Sequence, residues 1–157
     1  MRIVQDILKT KGTVVWSVQP YATVLDALEL MARKNVGALL VTEGDRVVGI
    51  FSERDYARKV RLEGRSSLNT FVREIMTEQV LFVHTEQTIE ECMALMTEAH
   101  VRHLPVLDGT KLVGVISIGD AVKALLADKD LEIQQLENYI DSRGYGADPL
   151  QKRERVG

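Results

Sequence analysis

The chain contains the same short pattern twice, at a constant separation. Val48-Gly49-Ile50-Phe51-Ser52-Glu53-Arg54-Asp55 recurs as Val113-Gly114-Val115-Ile116-Ser117-Ile118-Gly119-Asp120, displaced by 65 positions at both glycine and aspartate (114 − 49 = 65, 120 − 55 = 65). The same register, without a gap, also pairs Thr23 with Thr88. Self-similarity at a fixed offset is typical of one supersecondary unit used twice. We therefore predict two equivalent halves related by pseudo-twofold symmetry.

Hydrophobic periodicity assigns the same element order, β-α-β-β-α, to each half. In the first half we predict a strand over residues 13–18, a helix capped by Thr23 and ending near residue 34, strands over 36–42 and 46–51, and a helix capped by Ser52 and ending near residue 62. In the second half the predicted elements are a strand over 80–83, a helix over 88–98, strands over 101–107 and 112–116, and a helix from 117 to about 127. The fold class is therefore α/β.

Helices are also predicted outside the two repeats. An amphipathic helix over residues 2–9 ends at Gly12, a short helical segment over 71–76 links the halves, and another amphipathic helix follows Asp130. Its apolar face is wide enough to need a partner, which is either the body of the protein or a second subunit. The tail, with Gly144, Gly146, Pro149 and the basic run 152–155, is predicted to be frayed. We divide the single domain 1–157 into repeats over 13–65 and 78–130 and a C-terminal helix and tail over 131–157.

Composition excludes several partners. With 20 Lys and Arg against 23 Asp and Glu, the net charge is −3 and no basic stripe is present, so we expect no nucleic acid partner. The apolar runs are far shorter than the ~20 residues of a spanning helix, and we expect no membrane association. Cys92 is the single cysteine and is predicted to lie in the core, which favours the reducing cytoplasm.

No arrangement of residues predicts catalysis or metal binding. His100 and His103 have the spacing of zinc ligands, but no cysteine pair or further histidine accompanies them. No nucleophile stands with a base and an orienting partner, and the chain is predicted not to be an enzyme.

The closing pattern Gly-h-h-Ser-x-x-Asp, where h is apolar, follows the strands Val36-Gly37-Ala38-Leu39-Leu40-Val41 and Val101-Arg102-His103-Leu104-Pro105-Val106. This order resembles the cystathionine-β-synthase (CBS) domain, and two such units in tandem resemble a Bateman module. The resemblance covers residues 13 to about 127. It implies a regulatory module that binds adenosine-containing ligands in the cleft between the repeats and often pairs into flat dimers of four CBS units.

The resemblance assigns the ribose to Asp55 and Asp120, and the phosphate to Ser52 and Ser117. The chemistry agrees, because a carboxylate can accept bonds from both ribose hydroxyls and a helix amino terminus attracts phosphate. The same Ser-x-x-Asp spacing is also close to a capping box, in which both side chains only satisfy free helix amides. Both interpretations stay open on the sequence.

The two motifs are unequal. Arg54 places a cation within the first, whereas Gly119 in the second lets a backbone approach closely. In similar proteins, residues at the positions of Arg102 and His103 bind phosphate. We therefore expect the first site to suit a charged phosphate and the second a less charged ligand, or the two sites to differ in affinity.

For the base, the resemblance implies a slot between aliphatic side chains, with backbone groups reading the adenine edge. The matching positions are Thr13, Val36, Gly37 and Ala38 with Val115 on one side, and Thr77, Val101 and Arg102 with Ile50 on the other.

The sequence thus predicts a sensor of adenine nucleotides, with AMP favoured over ADP, ATP or NAD(H), acting as a homodimer on an unidentified regulated protein. The alternatives are a CBS dimer that serves as a ligand-free structural adaptor and an NAD(H)-binding redox sensor. An enzyme that uses a bound dinucleotide has the least support, because no residue is positioned to move a hydride or a proton.

Overall fold

The computed structural model describes residues 1–142, and the predicted frayed tail lies outside them. The elements in chain order are α1 (Val4–Lys11), β1 (Ser17–Val18), α2 (Val24–Lys34), β2 (Ala38–Glu43), β3 (Arg46–Ser52), α3 (Glu53–Tyr56) continued by a π-helical turn (Ala57–Arg61), α4 (Val72–Ile75), β4 (Val83–His84), α5 (Ile89–Ala99), β5 (His103–Asp108), β6 (Lys111–Ser117) and α6 (Ile118–Ser142).

Each half contains one three-stranded sheet, in the order β1-β2-β3 or β4-β5-β6. The first two strands of each sheet are parallel, and the last two form an antiparallel hairpin. Ala38 pairs with Ser52 in one hairpin, just as His103 pairs with Ser117 in the other. The predicted α/β fold of two symmetry-related repeats is therefore confirmed.

The helix that precedes each hairpin has the same ends in both halves. Thr23 and Thr88 each accept a hydrogen bond from the backbone amide three residues later, at 3.1 Å in both cases. At the other end, Asn35 and His100 both adopt the left-handed conformation, with φ of 53° and 56°. The threonine starts each helix, and the left-handed residue ends it shortly before the next strand. The helix therefore packs back on its own sheet.

The short helices that lead into the halves cross over. Val4 and Ile7 of α1 are buried in the core of the second half, whereas Val72 and Ile75 of α4 are buried in the core of the first. The backbone repeats this exchange, because the Val4 amide donates to the Gln87 carbonyl at 2.9 Å and the Val72 amide to the Ala22 carbonyl at 2.9 Å. Each half is therefore completed by a helix that precedes the other. We call α1 and α4 the lead-in helices.

The glycine of the repeated motif lies where a lead-in helix crosses the sheet. A Cβ on Gly49 would lie 2.6 Å from Met76 Sδ, and a Cβ on Gly114 would lie 2.7 Å from Leu8 Cδ2. Real Cβ atoms do not approach other atoms so closely, so a side chain at either position would force Met76 or Leu8 to shift. The glycine that identified the repeat is thus explained by packing.

Two predicted strands are shorter than expected. Pairing covers only Ser17–Val18 and Val83–His84, rather than residues 13–18 and 80–83. Val14 is exposed, and residues 12–15 run along an open cleft without strand pairing. Alternating apolar residues predicted a strand there, but a strand also requires a hydrogen-bonding partner.

The two helices predicted at the C-terminus are one helix, α6. It contains no proline and no glycine after Gly119, so nothing in the sequence breaks it near residue 130. Its first part packs on the body through buried Ala121 and Ala124, and Arg2 Nε lies 2.6 Å from Asp128 Oδ1. Every residue from 129 to 140 is exposed. Within residues 1–142, none of the helices combines the length and the apolarity that crossing a membrane requires.

Candidate functional site

Two clefts open between the halves. The larger has a volume of about 840 Å³ and contains Asp55, and the smaller has a volume of about 370 Å³ and contains Asp120. Gly37, Ile50 and His103 line both clefts, so the two spaces share one wall. The repeated motif therefore supplies one aspartate to each of two adjoining cavities.

Asp55 is held by bonds within the protein. Its Oδ2 accepts hydrogen bonds from the amide and the hydroxyl of Ser52, both at 3.0 Å. Its Oδ1 accepts from Thr77 Oγ1 at 3.1 Å and lies 2.9 Å from Lys59 Nζ. A carboxylate has about four lone-pair positions, so these contacts fill them. A ligand can bind to Asp55 only by replacing one partner, and Lys59, with a side chain 42% exposed, is the easiest to move.

Lys59 lies on the π-helical turn that follows α3. The turn ends with the Leu62 amide donating to the Ala57 carbonyl at 3.0 Å. It places the Lys59 ammonium close to Asp55, where the ammonium also donates to the Ile75 carbonyl at 3.1 Å. Single π-helical turns occur frequently at functional sites. The sequence showed only a helix here and did not indicate Lys59.

The larger cleft is rich in cations from both halves. Arg54 Nη1 donates to the His100 carbonyl at 2.7 Å, so a motif residue of the first half reaches the end of α5 in the second. Glu53 and Asp55 are the acidic residues lining this cleft. The lysine and arginine residues that line it are Arg54, Arg58, Lys59 and Arg102. This excess of basic groups attracts anions into the cleft.

Asp120 has a different environment in the smaller cleft. Its Oδ2 accepts from the Ser117 amide at 2.8 Å and from Lys11 Nζ at 2.6 Å. Lys11 Nζ also donates to the Val115 carbonyl at 2.8 Å. The side chain of Asp120 is 20% exposed, against 9% for Asp55, so the second carboxylate is the more accessible.

Lys11 does in one cleft what Thr77 does in the other. Thr77 donates its amide to the Ile50 carbonyl at 2.9 Å and its hydroxyl to Asp55. In the smaller cleft, the Lys11 ammonium alone makes both equivalent bonds, to Val115 and Asp120. The pseudo-symmetry is therefore preserved in hydrogen bonding but broken in charge.

The repeat register explains why Lys11 was missed. Val4 and Val72 make equivalent bonds at the start of the lead-in helices, so these helices are related by an offset of 68 (72 − 4 = 68) rather than 65. Three more residues thus lie between Val4 and Val18 of β1 than between Val72 and Val83 of β4 (18 − 4 = 14, 83 − 72 = 11). The family resemblance placed Thr13 in the cleft, but its neighbours Gly12 and Val14 line the cavity instead.

Most of the predicted site residues lie in the clefts. Those lining the larger cleft are Ile50, Ser52, Arg54, Asp55, Thr77, Val101, Arg102 and His103. Those lining the smaller cleft are Val36, Gly37, Ala38, Val115, Ser117 and Asp120. Thr13 and Gly119 line neither cavity, and a Cβ on Gly119 would meet only Ser117 Oγ at 3.6 Å. The capping interpretation also holds, because Ser52 and Ser117 each accept from the aspartate amide of their motif at 3.2 Å.

The sequence did not indicate several other residues that line the clefts. In the smaller cleft they include Lys11 and Val15, and in the larger cleft Arg58, Lys59, Gln79, Val80 and Leu81. Trp16 also lines the smaller cleft, with Lys34 Nζ 4.3 Å from the centroid of its ring. Val15 and residues 79–81 lie in loops, which carry no periodic signal in the sequence.

Burial and neighbouring charges shift the pKa values of two groups in the clefts. Burial works against ionisation of Asp120, but the Lys11 ammonium and the Ser117 amide outweigh it and hold the pKa of this carboxyl below its ordinary value. Burial lowers the pKa of His103, and the Lys11 ammonium lowers it further against the opposing effect of Asp120. His103 is therefore a neutral imidazole at physiological pH, able both to donate and to accept a hydrogen bond.

Replacing Lys11 by Met is expected to raise the pKa of Asp120. In the wild type the folded-state pKa is lowered, so ionised Asp120 stabilises the fold above its unfolded-state pKa, and this contribution is lost as the pH falls through the folded-state pKa, below about pH 4. In Lys11→Met the carboxyl should titrate at a higher pH and lose part of that contribution. NMR titration of the Asp120 carboxyl carbon measures the change. Lys9→Met, in the same last turn of α1, is the matched control. Equal titration midpoints in all three proteins would show that Lys11 does not set this pKa.

Cys92 and the histidines were the other candidates for chemistry. Cys92 is fully buried in the core of the second half, as predicted, and burial raises the pKa of its thiol to about 11. Across residues 1–142, no three His, Cys, Asp or Glu side chains come together as metal ligands would.

Interlocked β-α-β-β-α repeats with a cleft on either side of their common wall define a tandem-repeat α/β module. The family model for the CBS domain matches residues 4–62 and 72–127. The chain belongs to the CBS domain family and contains two CBS repeats in tandem.

Known proteins of this family are similar along most of the chain. The CBS domain-containing protein CBSX3, mitochondrial, from Arabidopsis thaliana is 39% identical over 152 residues, which are 90% of this chain and 73% of that protein. A solved protein with CBS domains from Burkholderia ambifaria MC40-6 is 55% identical with a TM-score of 0.79, covering 81% of this chain and 96% of that one. The CBS domain pair of protein MJ0100, solved with 5′-methylthioadenosine and S-adenosyl-L-methionine, has a TM-score of 0.70 over 82% of this chain and 98% of that one, and at 22% identity it shares the fold.

Proposed function

We propose that this CBS pair is a regulatory module that binds adenine nucleotides between its repeats, with AMP favoured over ADP, ATP or NAD(H). One observation carries the proposal. The larger cleft holds a largely buried carboxylate, Asp55, at the start of a helix, and cations of both halves surround it. A nucleotide presents a matching pair of groups, because its ribose hydroxyls are donors and its phosphate is an anion.

The contacts of Asp55 suggest how a nucleotide enters the larger cleft. The ribose hydroxyls take the place of the Lys59 ammonium on Asp55, and Lys59 becomes available to the phosphate together with Arg54 and Arg102. The base lies between the aliphatic side chains of Ile50 and Val101, which line the same cavity. Binding thus exchanges an internal ion pair for one with the ligand.

The smaller cleft suits a ligand with less charge. Among the described residues, Lys11 is the one lysine or arginine that lines this cavity. Its ammonium is already bonded to Asp120. An adenosine derivative without an extended phosphate chain satisfies such a site. The MJ0100 pair, which shares this fold, was solved with two adenosine derivatives, and this supports adenosine as the common element.

Ligand binding is expected to change the relative arrangement of the two halves. Arg54 already reaches from the first half to the His100 carbonyl of the second, and a phosphate in the larger cleft would draw on the same arginine. A nucleotide shifts the arrangement only by binding one form more tightly than the other. Under this proposal a regulated protein recognises the favoured form, and the module acts as a homodimer.

The cytoplasm remains the expected compartment, because a single buried cysteine suits a reducing environment. The name of the Arabidopsis relative places that protein in mitochondria.

An adaptor that binds no ligand is the second candidate. It is favoured by the same carboxylate, because the acceptor positions of Asp55 are filled by Ser52, Thr77 and Lys59 without a ligand. In that case the motifs are helix caps, and the module acts only through its surface.

Calorimetric titration of nucleotide-stripped protein distinguishes the two candidates. We expect AMP and ATP to bind at least about tenfold more tightly than adenosine, because only the phosphorylated ligands form charge-assisted bonds with the cations. NADH tests the dinucleotide alternative in the same series. The absence of heat from all four ligands, with protein that is folded by circular dichroism, would support the adaptor.

A further inference from the structure

One oxygen of the Asp55 carboxylate is covered by an ion pair. Lys59 Nζ lies 2.9 Å from Asp55 Oδ1 and also donates to the Ile75 carbonyl at 3.1 Å. The ammonium is therefore held at two points, the carboxylate and the end of α4. Thr77 Oγ1 donates to the same Oδ1 at 3.1 Å, so both lone-pair positions of this oxygen are filled.

The repeat register shows that position 59 differs between the halves. The offset of 65 places Ala124 where Lys59 stands (59 + 65 = 124), and Ala124 is buried in the core of the second half. Asp120 accepts bonds from the Ser117 amide and a lysine ammonium, and both bonds end on Oδ2. An alanine cannot supply a cation to Oδ1 of Asp120. The smaller cleft therefore lacks a counterpart of Lys59 at this position.

An ion pair at the ribose position opposes a ligand that brings no negative charge. Ribose hydroxyls that bind to Oδ1 of Asp55 must first displace the Lys59 ammonium. A contact between two ions is stronger than a bond from a neutral hydroxyl to one ion. A nucleoside without phosphate therefore exchanges a stronger contact for a weaker one and leaves the ammonium without a counter-ion. A nucleoside phosphate provides that counter-ion itself.

We propose that Lys59 makes the larger cleft select nucleoside phosphates and reject unphosphorylated nucleosides. The inference rests on the proposed function, because it requires the ribose to bind to Asp55. Specificity of this kind comes from opposition to the wrong ligand as well as from attraction to the right one. Arg54 and Arg102 line the cleft and attract the phosphate, whereas Lys59 also occupies the ribose position until a phosphate draws it away.

Calorimetric titration of the full chain with adenosine and with AMP tests the proposal. Every protein in the series carries Asp120→Asn, so that the heat reports the larger cleft. We expect Lys59→Met to bind adenosine about tenfold more tightly, because no ion pair then has to break. The dissociation constant for AMP should change by less than about threefold, because AMP loses a phosphate contact but also avoids the displacement.

Two controls separate the ion pair from other effects. Arg61→Met removes a cation from the same π-helical turn, but Arg61 lines neither cleft, so adenosine affinity should stay within about twofold. Dideoxyadenosine lacks both ribose hydroxyls, so Lys59→Met should not improve its binding. Methionine keeps the apolar stem of the lysine, and circular dichroism establishes that each variant is folded.

The outcomes for this inference and for the proposed function are distinct. If AMP binds but Lys59→Met binds adenosine no more tightly, the inference is overturned and the proposed function stands. An equal gain for dideoxyadenosine would also overturn the inference, because the ammonium would then oppose ligands without competing for the ribose position. If the wild type does not bind AMP, the proposed function and the inference fail together.

Discussion

Asn in place of Asp55 is expected to weaken AMP binding to the larger cleft by about a hundredfold. Each hydrogen bond to a charged group contributes about 1.5–3 kcal/mol, and a ribose makes two such bonds to one carboxylate, so the loss of charge should cost roughly 3 kcal/mol. Asp120→Asn should leave this binding nearly unchanged, because Asp120 lines the other cleft. Calorimetric titration of the three stripped proteins with AMP measures both effects and assigns the site.

The difficulty with Asp55→Asn is that Asp55 also caps a helix. Asp26 provides a matched control, because it belongs to the same kind of capping box with Thr23 but lines neither cleft. Asp26→Asn should lower thermal stability slightly and leave AMP affinity unchanged. If folded Asp55→Asn bound AMP as tightly as the wild type, the carboxylate would be only a cap, and the adaptor would become the better account of the protein.

Ala in place of Gly49 is expected to destabilise the protein by about 2–3 kcal/mol, the upper part of the range for overpacking a core. The new methyl group would lie 2.6 Å from Met76 Sδ, 2.9 Å from Met76 Cγ and 3.1 Å from the Thr77 carbonyl. That carbonyl accepts a bond from Ile50 and cannot move freely. Gly114→Ala should cost less, about 1–2 kcal/mol, because its new methyl group meets only the side chain of Leu8. Urea unfolding monitored by circular dichroism gives both values.

Gly119→Ala is the control for these two variants. Its Cβ would meet only Ser117 Oγ at 3.6 Å, and alanine is the better helix former, so this variant should be neutral or slightly more stable. Met76→Ala added to Gly49→Ala should recover part of the lost stability by making room for the methyl group. An unchanged unfolding midpoint in Gly49→Ala would mean that α4 is held loosely against β3, contrary to the close contact described here.

The sequence predicted what the repeat controls directly. The offset of 65 located both hairpins and both Ser-x-x-Asp motifs, because each depends on a few neighbouring residues that the duplication copied. Thr23 was likewise found as a cap, since a cap is a local interaction.

What the sequence did not predict depends on contacts between distant segments. No local pattern shows that α1 packs on the second half, or that Lys11 at the end of α1 reaches Asp120. The length of β1 was overestimated because a strand requires a neighbour, and the neighbour is 20 or more positions away, with Ser17 pairing to Leu40. The continuity of α6 was missed because the helix passes from a buried part to an exposed part. This change in the sequence pattern resembled the end of one helix and the start of another.

The crossing of the lead-in helices has a consequence for biosynthesis. Helix α1 leaves the ribosome before either repeat, yet Val4 and Ile7 belong to a core whose remaining strands end at Ser117. At about 5–20 residues per second, α1 waits roughly 5–20 s for its partners. During that time the apolar side of α1 has no core to pack against. The first half also lacks α4 until residue 75 is made. The second half therefore completes its core only after the strands that end at Ser117 have been made, whereas the first half contains all of its elements once α4 has been made.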